Sequence, residues 1–185
     1  MKIFNHYSVQ IKLAIAALGM VFTLIWAEVA YSGDKFVEDK WRFPSEQDIK
    51  WDWLEYKNIL PEPYHAAGDF NGDGKVDDAW ILIDKENENY WSLIVFLSTD
   101  GDKKRLVKLE ESNAKVPAQA YGIVVKPPGS YKVACEKGHV SLNNCKNGNI
   151  LTKNTSINLF RFESSSSIFF WEEKSASFLR FWESD

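Results

Sequence analysis

The chain has 185 residues, with 22 Lys and Arg set against 26 Asp and Glu for a formal charge of −4. Nothing in that mildly acidic balance suggests nucleic-acid binding, which depends on a clustered basic face. No stretch repeats at a period of about 20 to 50 residues, which excludes a propeller or solenoid built within the chain.

The N-terminus reads as an export signal. Lys2 and Lys12 precede an unbroken run of apolar or small residues from Leu13 to Trp26, and Glu28 closes it. A retained anchor needs about 20 apolar residues to cross a hydrocarbon layer of about 30 Å, and this run is shorter, so cleavage is favoured over a signal that stays in the membrane. Ala30-Tyr31-Ser32 puts small residues at both specificity positions of a cleavage site. The expected organisation is a signal peptide over 1–32, touching the membrane only in transit, and one domain over 33–185. No cysteine follows the apolar run, which argues against a lipid-modified start. Removing Lys2, Lys12 and Glu28 leaves 20 basic and 25 acidic residues, a charge of −5, on a chain long enough for one core.

Residues 33–44 show no period and read as an extended lead-in. Ser45, followed three residues later by Asp48, reads as a helix start. Ile49, Trp53, Tyr56 and Leu60 then fall at helical spacing, so one amphipathic helix is expected to end before Pro61. Sheet follows. Segments 79–84 and 90–98 are apolar on both faces and read as central strands joined by the polar loop 85–89. Segments 105–109 and 120–126 are further strands. Pro127-Pro128-Gly129 breaks the chain, and 135–156 reads as irregular surface. Three more strands are expected at 157–163, 167–173 and 177–183. Eight of the last 29 residues are Phe or Trp, which makes this region a wall of the core; an exposed strip of Trp171 and Trp182 would instead read as a ligand-stacking platform. The expected fold class is therefore α+β and β-rich, mostly antiparallel sheet with one N-terminal amphipathic helix and a calcium-binding loop.

Cys135 and Cys145 are the only cysteines. In an exported protein they are expected to form one local disulfide, worth about 2 to 4 kcal/mol. A metal or redox thiol pair is the alternative, but nine residues separate the two, there is no Cys-x-x-Cys, and His139 is the one other soft ligand between them.

The segment Asp69-Phe70-Asn71-Gly72-Asp73-Gly74-Lys75-Val76-Asp77-Asp78 carries the clearest chemistry. Oxygen-bearing side chains alternate around a glycine turn, and a hard cation such as calcium collects about 6 to 8 such oxygens. A solvated Asp-Gly turn without an ion is the competing reading. The pattern Asp69-x-Asn71-x-Asp73-Gly74-x-x-Asp77, with Gly68 before it and Ala79-Trp80-Ile81-Leu82 after it, resembles the calcium loop of FG-GAP or VCBS-type repeats, as in integrin-α propellers. It is also similar to the opening of dockerin and EF-hand loops. The resemblance implies a Ca²⁺ site made by the side chains of Asp69, Asn71, Asp73 and Asp77, the backbone carbonyl of Lys75, and water. Trp80 stands where an EF-hand places its bidentate Glu, so a calcium-sensing switch does not follow; an extracellular-type site with a dissociation constant of about 10⁻⁴ to 10⁻³ M does. Asp78 either adds a ligand or starts the next strand. The wider layout resembles a group of small exported bacterial proteins, a likeness that brings no catalytic residue with it.

No catalytic motif stands out. His65 precedes the loop by four residues and reads as a group behind the metal ligands or as an ordinary polar residue near a turn. Ser130, Tyr131, Cys135 and His139 lie close in sequence, but a disulfide-bonded cysteine is no nucleophile. Glu62, Glu110, Glu172 and Glu173 are available for a paired-carboxylate hydrolase, which needs two of them convergent in a cleft. Three readings follow: an exported or periplasmic calcium-binding module, more non-enzymatic than not, that recognises a protein or glycan; a periplasmic inhibitor or immunity-type protein against a cell-wall-degrading enzyme; and an envelope-polymer hydrolase.

Overall fold

The computed structural model describes residues 37, 39–101, 103–112, 115–134 and 148–183. The chain divides into two compact units, 1–39 and 40–185. In the first, Val37 and Asp39 are described and both are helical, where an extended lead-in was expected. The signal segment 1–32, His139, Cys135 and Cys145 lie outside the described residues.

The second unit is built of antiparallel strands. A short β1 (Trp41–Arg42) precedes one turn of helix, α1 (Asp52–Glu55), and then come β2 (His65–Gly68), β3 (Asp77–Asp84), β4 (Trp91–Ser98) and β5 (Lys104–Glu111). These five strands form one sheet in the order β1-β3-β4-β5, with β2 sharing the β1 edge of β3. Next in the chain are β6 (Tyr121–Lys126), the ribbon strands β7 (Gly129–Lys132) and β8 (Asn149–Thr152), and then β9 (Ser156–Arg161), β10 (Ser166–Glu172) and β11 (Ser177–Trp182). A four-stranded sheet runs β11-β10-β9-β6, and β7 pairs β8 in a two-stranded ribbon.

Strand alternation decides what each sheet buries. Ala79, Ile81 and Ile83 of β3 and Leu93, Val95 and Leu97 of β4 point the same way and meet Ile123, Ile157, Leu159 and Phe169 of the second sheet in one core. The opposite face of the second sheet places Ile168, Phe170 and Phe181 against Val133 and Ile150 beside the ribbon. The β-rich C-terminal third thus separates two cores, and its aromatic residues serve both. At the end of β11, Glu183 accepts from Lys126, Ser166 and Asn158. Burial alone would raise the Glu183 pKa, but these donors outweigh it and lower it.

The expected N-terminal amphipathic helix is absent, and this corrects the fold class. Residues 45–60 form a three-residue 3-10 turn (Glu46–Asp48), the four-residue α1 and a series of turns. Helical spacing is present over 49–60, but tertiary ties override it. Asp48, 3% exposed, accepts Arg42 Nη1 and Nη2 at 2.7 and 2.8 Å, the Ser45 N–H at 2.8 Å and the Ser45 hydroxyl at 2.9 Å. Ile49 then leaves helical geometry (φ −77°, ψ 83°) and Trp51 takes φ +54°, a strained conformation for a bulky residue that costs on the order of 1 to 3 kcal/mol. The break lets Trp53 bury completely and donate from Nε1 to the Tyr121 carbonyl at 2.7 Å. Leu54 and Ile59 stay exposed. Segment 149–152, expected as irregular, forms β8, because Ile150 and Thr152 alternate inward against β7.

The Arg42 fork holds the Asp48 carboxyl down at about 2, against 3.8 for a free side chain, with burial opposing and Ser45 assisting. A depressed carboxyl pKa stabilises the fold above the unfolded value and loses that contribution as pH falls through the folded one. The difference corresponds to about 2 kcal/mol at neutral pH. Asp48→Asn is expected to lose about that much at pH 7 and to converge on wild type near pH 2, measured by urea unfolding; a penalty that does not change with pH would contradict the assignment.

Candidate functional site

The segment between β2 and β3 is a closed glycine turn held by its own carboxylates. Asp69 Oδ1 accepts the Gly72 and Asp73 N–H groups at 2.7 and 3.1 Å, and Oδ2 accepts the Gly74 N–H at 2.9 Å. Asn71 Oδ1 accepts from the Asp73 N–H at 3.1 Å, and Asp73 Oδ1 from the Lys75 N–H at 2.9 Å. Gly72 and Gly74 have φ of +77° and +82°, which a side-chain-bearing residue adopts only under strain. The Asn71 amide donates to Asp73 Oδ2 at 3.2 Å. Asp69, Asn71 and Asp73 are thus drawn together around one turn, and the Lys75 ammonium reaches out to Asp100 at 2.7 Å.

Asp77 behaves differently. It is completely buried, and its two oxygens join separate parts of the chain: Oδ2 accepts the Phe70 N–H at 3.0 Å and Oδ1 the Ser98 N–H at 2.8 Å. Burial pushes its pKa up; the Ser98 and Phe70 donors oppose this, and the charges of Asp73 and Asp69 add to the rise. The neighbouring Asp78 points to the opposite face, as strand alternation demands. It accepts from Lys104 and, at 3.1 Å, meets His65 Nε2. Burial would raise the Asp78 pKa, yet Lys104 and His65 outweigh it and lower it. Asp78 is committed to that ion pair as a strand residue, and His65 lies flat on Trp80 with ring centroids 4.0 Å apart.

Among the described residues, no group of three or more His, Cys, Asp or Glu side chains is spaced to hold a metal ion in this arrangement. The oxygens of Asp69, Asn71 and Asp73 are instead occupied by loop N–H groups and the Asn71 amide, Asp69 Oδ1 by two of them. The donor set is nonetheless all oxygen and carries three carboxylates within nine residues, the chemistry a hard divalent cation requires.

Three partners of the loop escaped sequence reasoning. Phe70 is wholly buried in the main core and anchors the turn from within. Ser98 donates through its N–H to Asp77 and through its hydroxyl to the Val76 carbonyl at 2.6 Å. The pairing of Asp78 with Phe96 sets Ser98 opposite Val76, so a hairpin register would have found it. The loop before β9 lies against the turn: a Cβ on Gly72 would fall 2.6 Å from the Asn154 amide, and one on Gly68 2.9 Å from Thr155 Cγ2. No local signal links positions 72 and 154.

Each of the paired-carboxylate candidates has a partner of its own, although Glu172 and Glu173 border one cleft. Glu62 meets His65, Glu110 binds Arg180, Glu172 accepts the Ser175 N–H and Glu173 faces Lys153. Trp171 and Trp182 do not make one strip: both face the first sheet, but Trp171 packs edge-on to Phe178 while Trp182 lies under Arg180. In comparisons with known proteins no family model matches the chain, and no curated protein or solved structure matches it either.

Gly72→Ala and Gly74→Ala are each expected to lose about 1 kcal/mol for the left-handed conformation. Gly74 has open space where its Cβ would stand and Gly72 has Asn154, so Gly72→Ala loses more. In an Asn154→Ala background that excess disappears, as a double-mutant cycle by urea unfolding measures. Equal losses for the two alanines in the wild-type background would contradict the packing of Asn154 on the turn.

Proposed function

We propose that the chain is an exported, calcium-binding, non-enzymatic module that recognises a protein or glycan at the cell envelope. The observation that carries the calcium reading is the closed turn in which Asp69, Asn71 and Asp73 gather around Gly72 and Gly74 while Asp77 ties that turn to the sheet. Three mutually repelling carboxylates on one short turn are offset by a divalent cation. Asp69, Asn71, Asp73 and Asp77, with the Lys75 carbonyl, would hold it. Calcium suits this oxygen set better than magnesium, which retains more of its own water. Bound there, it supplies rigidity rather than reaction chemistry: it fixes the β2–β3 connection, against which Asn154 and Thr155 pack. The binding reading requires Asn71 and Asp73 to turn from loop N–H groups toward the ion.

Export rests on the apolar run 13–26 and the small residues at 30 and 32. Among the described residues no helix is long and apolar enough to cross a membrane. The non-enzymatic reading draws support from the separate engagement of Glu62, Glu110, Glu172 and Glu173, each with its own partner.

Thermal unfolding of the full-length chain with calcium, with magnesium and with chelator, beside Asp73→Ala, tests the reading. The expected result is a calcium-specific rise in melting temperature that Asp73→Ala loses, reflecting about 2.7 kcal/mol of added stability at a hundredfold excess over the dissociation constant. An equal melting temperature in calcium and chelator would overturn it.

A further inference from the structure

A cleft of about 280 Å³ lies between the two sheets, far in sequence from the glycine turn. Tyr121 gives the cleft an aromatic wall, backed at 4.5 Å by the tilted ring of the buried Trp91, and Trp182 also lines it. Glu110 enters from β5 and Arg180 from β11, and the two form an ion pair across the sheets. A bulge precedes Glu110: Leu93 faces Glu110 while Ile94 faces Lys108, leaving Leu109 over. Bulges of this kind re-aim the side chains that follow them, and here the re-aimed residue is the one that reaches the cleft.

The charges of the cleft do not cancel. Arg180 is fixed: its Nε donates to Ser167 Oγ at 3.1 Å, its Nη1 binds Glu110, and its guanidinium lies 4.3 Å from the Trp182 ring and 5.1 Å from Phe169. Its Nη2 has no protein acceptor among the described residues. Glu111, which also borders the cleft, is satisfied by Lys40 and Lys108. Arg161 stands across from Tyr121 on the β6–β9 pair, lines the cleft, and its guanidinium has no carboxylate partner among the described residues. The lining therefore offers one guanidinium without a carboxylate partner and a second with an unused N–H pair, groups that capture carboxylates.

A bare anion does not use the rest. The aromatic wall needs an apolar face to cover. Glu110 can only accept hydrogen bonds, so the ligand must also bring donors close to its own negative charge. An aliphatic or aromatic acid brings none. A sugar ring carrying a carboxylate supplies an apolar C–H face, hydroxyl donors and the anion together, and a volume near the lower end of ligand pockets admits about one such ring. We infer that this cleft binds a carboxylate-bearing sugar residue of a glycan, with Arg161 and Arg180 taking the carboxylate, Glu110 accepting from a ring hydroxyl, and Tyr121 and Trp182 covering the ring. The assignment deepens the reading of the chain as a binding module and is independent of calcium, since none of the proposed metal ligands lines the cleft.

Glucuronate titrated into the full-length chain tests it, followed by nitrogen-15 NMR at the indole N–H groups of Trp91 and Trp182, with glucose, acetate and N-acetylphenylalanine as parallel ligands and each series run in calcium and in chelator. The expected result is saturable glucuronate binding with a dissociation constant of about 1 mM. Glucose and acetate bind at least tenfold more weakly, and Arg161→Ala, at an exposed position outside the core, weakens glucuronate about tenfold while leaving the melting temperature unchanged. Absence of saturable shifts overturns the assignment, as does acetate binding equal to glucuronate, which marks a general anion site. Tighter N-acetylphenylalanine binding replaces the sugar by a peptide carboxy terminus and also overturns it. Glucuronate binding that persists when calcium changes nothing would separate the cleft from a failed metal reading.

Discussion

One buried carboxylate ties the glycine turn to the first sheet. Asp77 sits at the first position of β3, out of contact with water, and each of its oxygens receives a backbone N–H from a different part of the chain, Phe70 in the turn and Ser98 at the end of β4. A buried carboxylate is tolerated only when its oxygens are satisfied, so the turn and the strand end must both be in place for the charge to be accommodated. Phe70 adds the apolar counterpart: its complete burial contributes about 2 to 3 kcal/mol and pulls the turn onto the same core that β3 and β4 build. The turn, the central hairpin and the core are thereby coupled, and an ion bound to the turn would act on the sheet through Asp77.

The second sheet depends on a related device at the far side of the core. Where hydrophobic packing joins the sheets through Ile81, Leu93, Ile123 and Phe169, the Glu110 and Arg180 pair joins them at the margin. Arg180 is held by Ser167, by Glu110 and by two aromatic faces, so its position is set before any ligand arrives. Preorganisation of this kind reduces the conformational cost of binding. The molecule thus carries two separate polar constructions, an oxygen-rich turn and an aromatic cleft with arginines, that share no residue.

The β-rich antiparallel architecture was legible because central strands announce themselves. Segments 79–84 and 90–98 are apolar on both faces, and in the structure β3 and β4 are buried on both sides in the middle of the first sheet. The interruption of the expected helix was not legible, for a physical reason that periodicity does not carry: Arg42 claims Asp48, Trp53 needs its indole N–H on Tyr121, and the chain breaks at Ile49 and Trp51 to allow both. The inward residues of that region remain the ones the spacing marked, since Trp53 is buried and Ile49, Tyr56 and Leu60 are half-buried. At the turn, alternation of Asp and Asn around glycine showed which side chains gather, while the roles of Ser98, Asn154 and Thr155 come from pairing and packing over long separations. The cleft was invisible in the same way: Glu110 was noted only as one available acid, and nothing local joins it to Arg161 and Arg180.

The coupling through Asp77 is tested most directly by amide hydrogen exchange at Phe70 and Ser98, in calcium and in chelator. If one carboxylate ties the turn to the sheet and the turn binds calcium, the two amides open together and both become more protected when calcium is present. Free exchange at Phe70 beside a protected Ser98, with no response of either to calcium, would contradict the account.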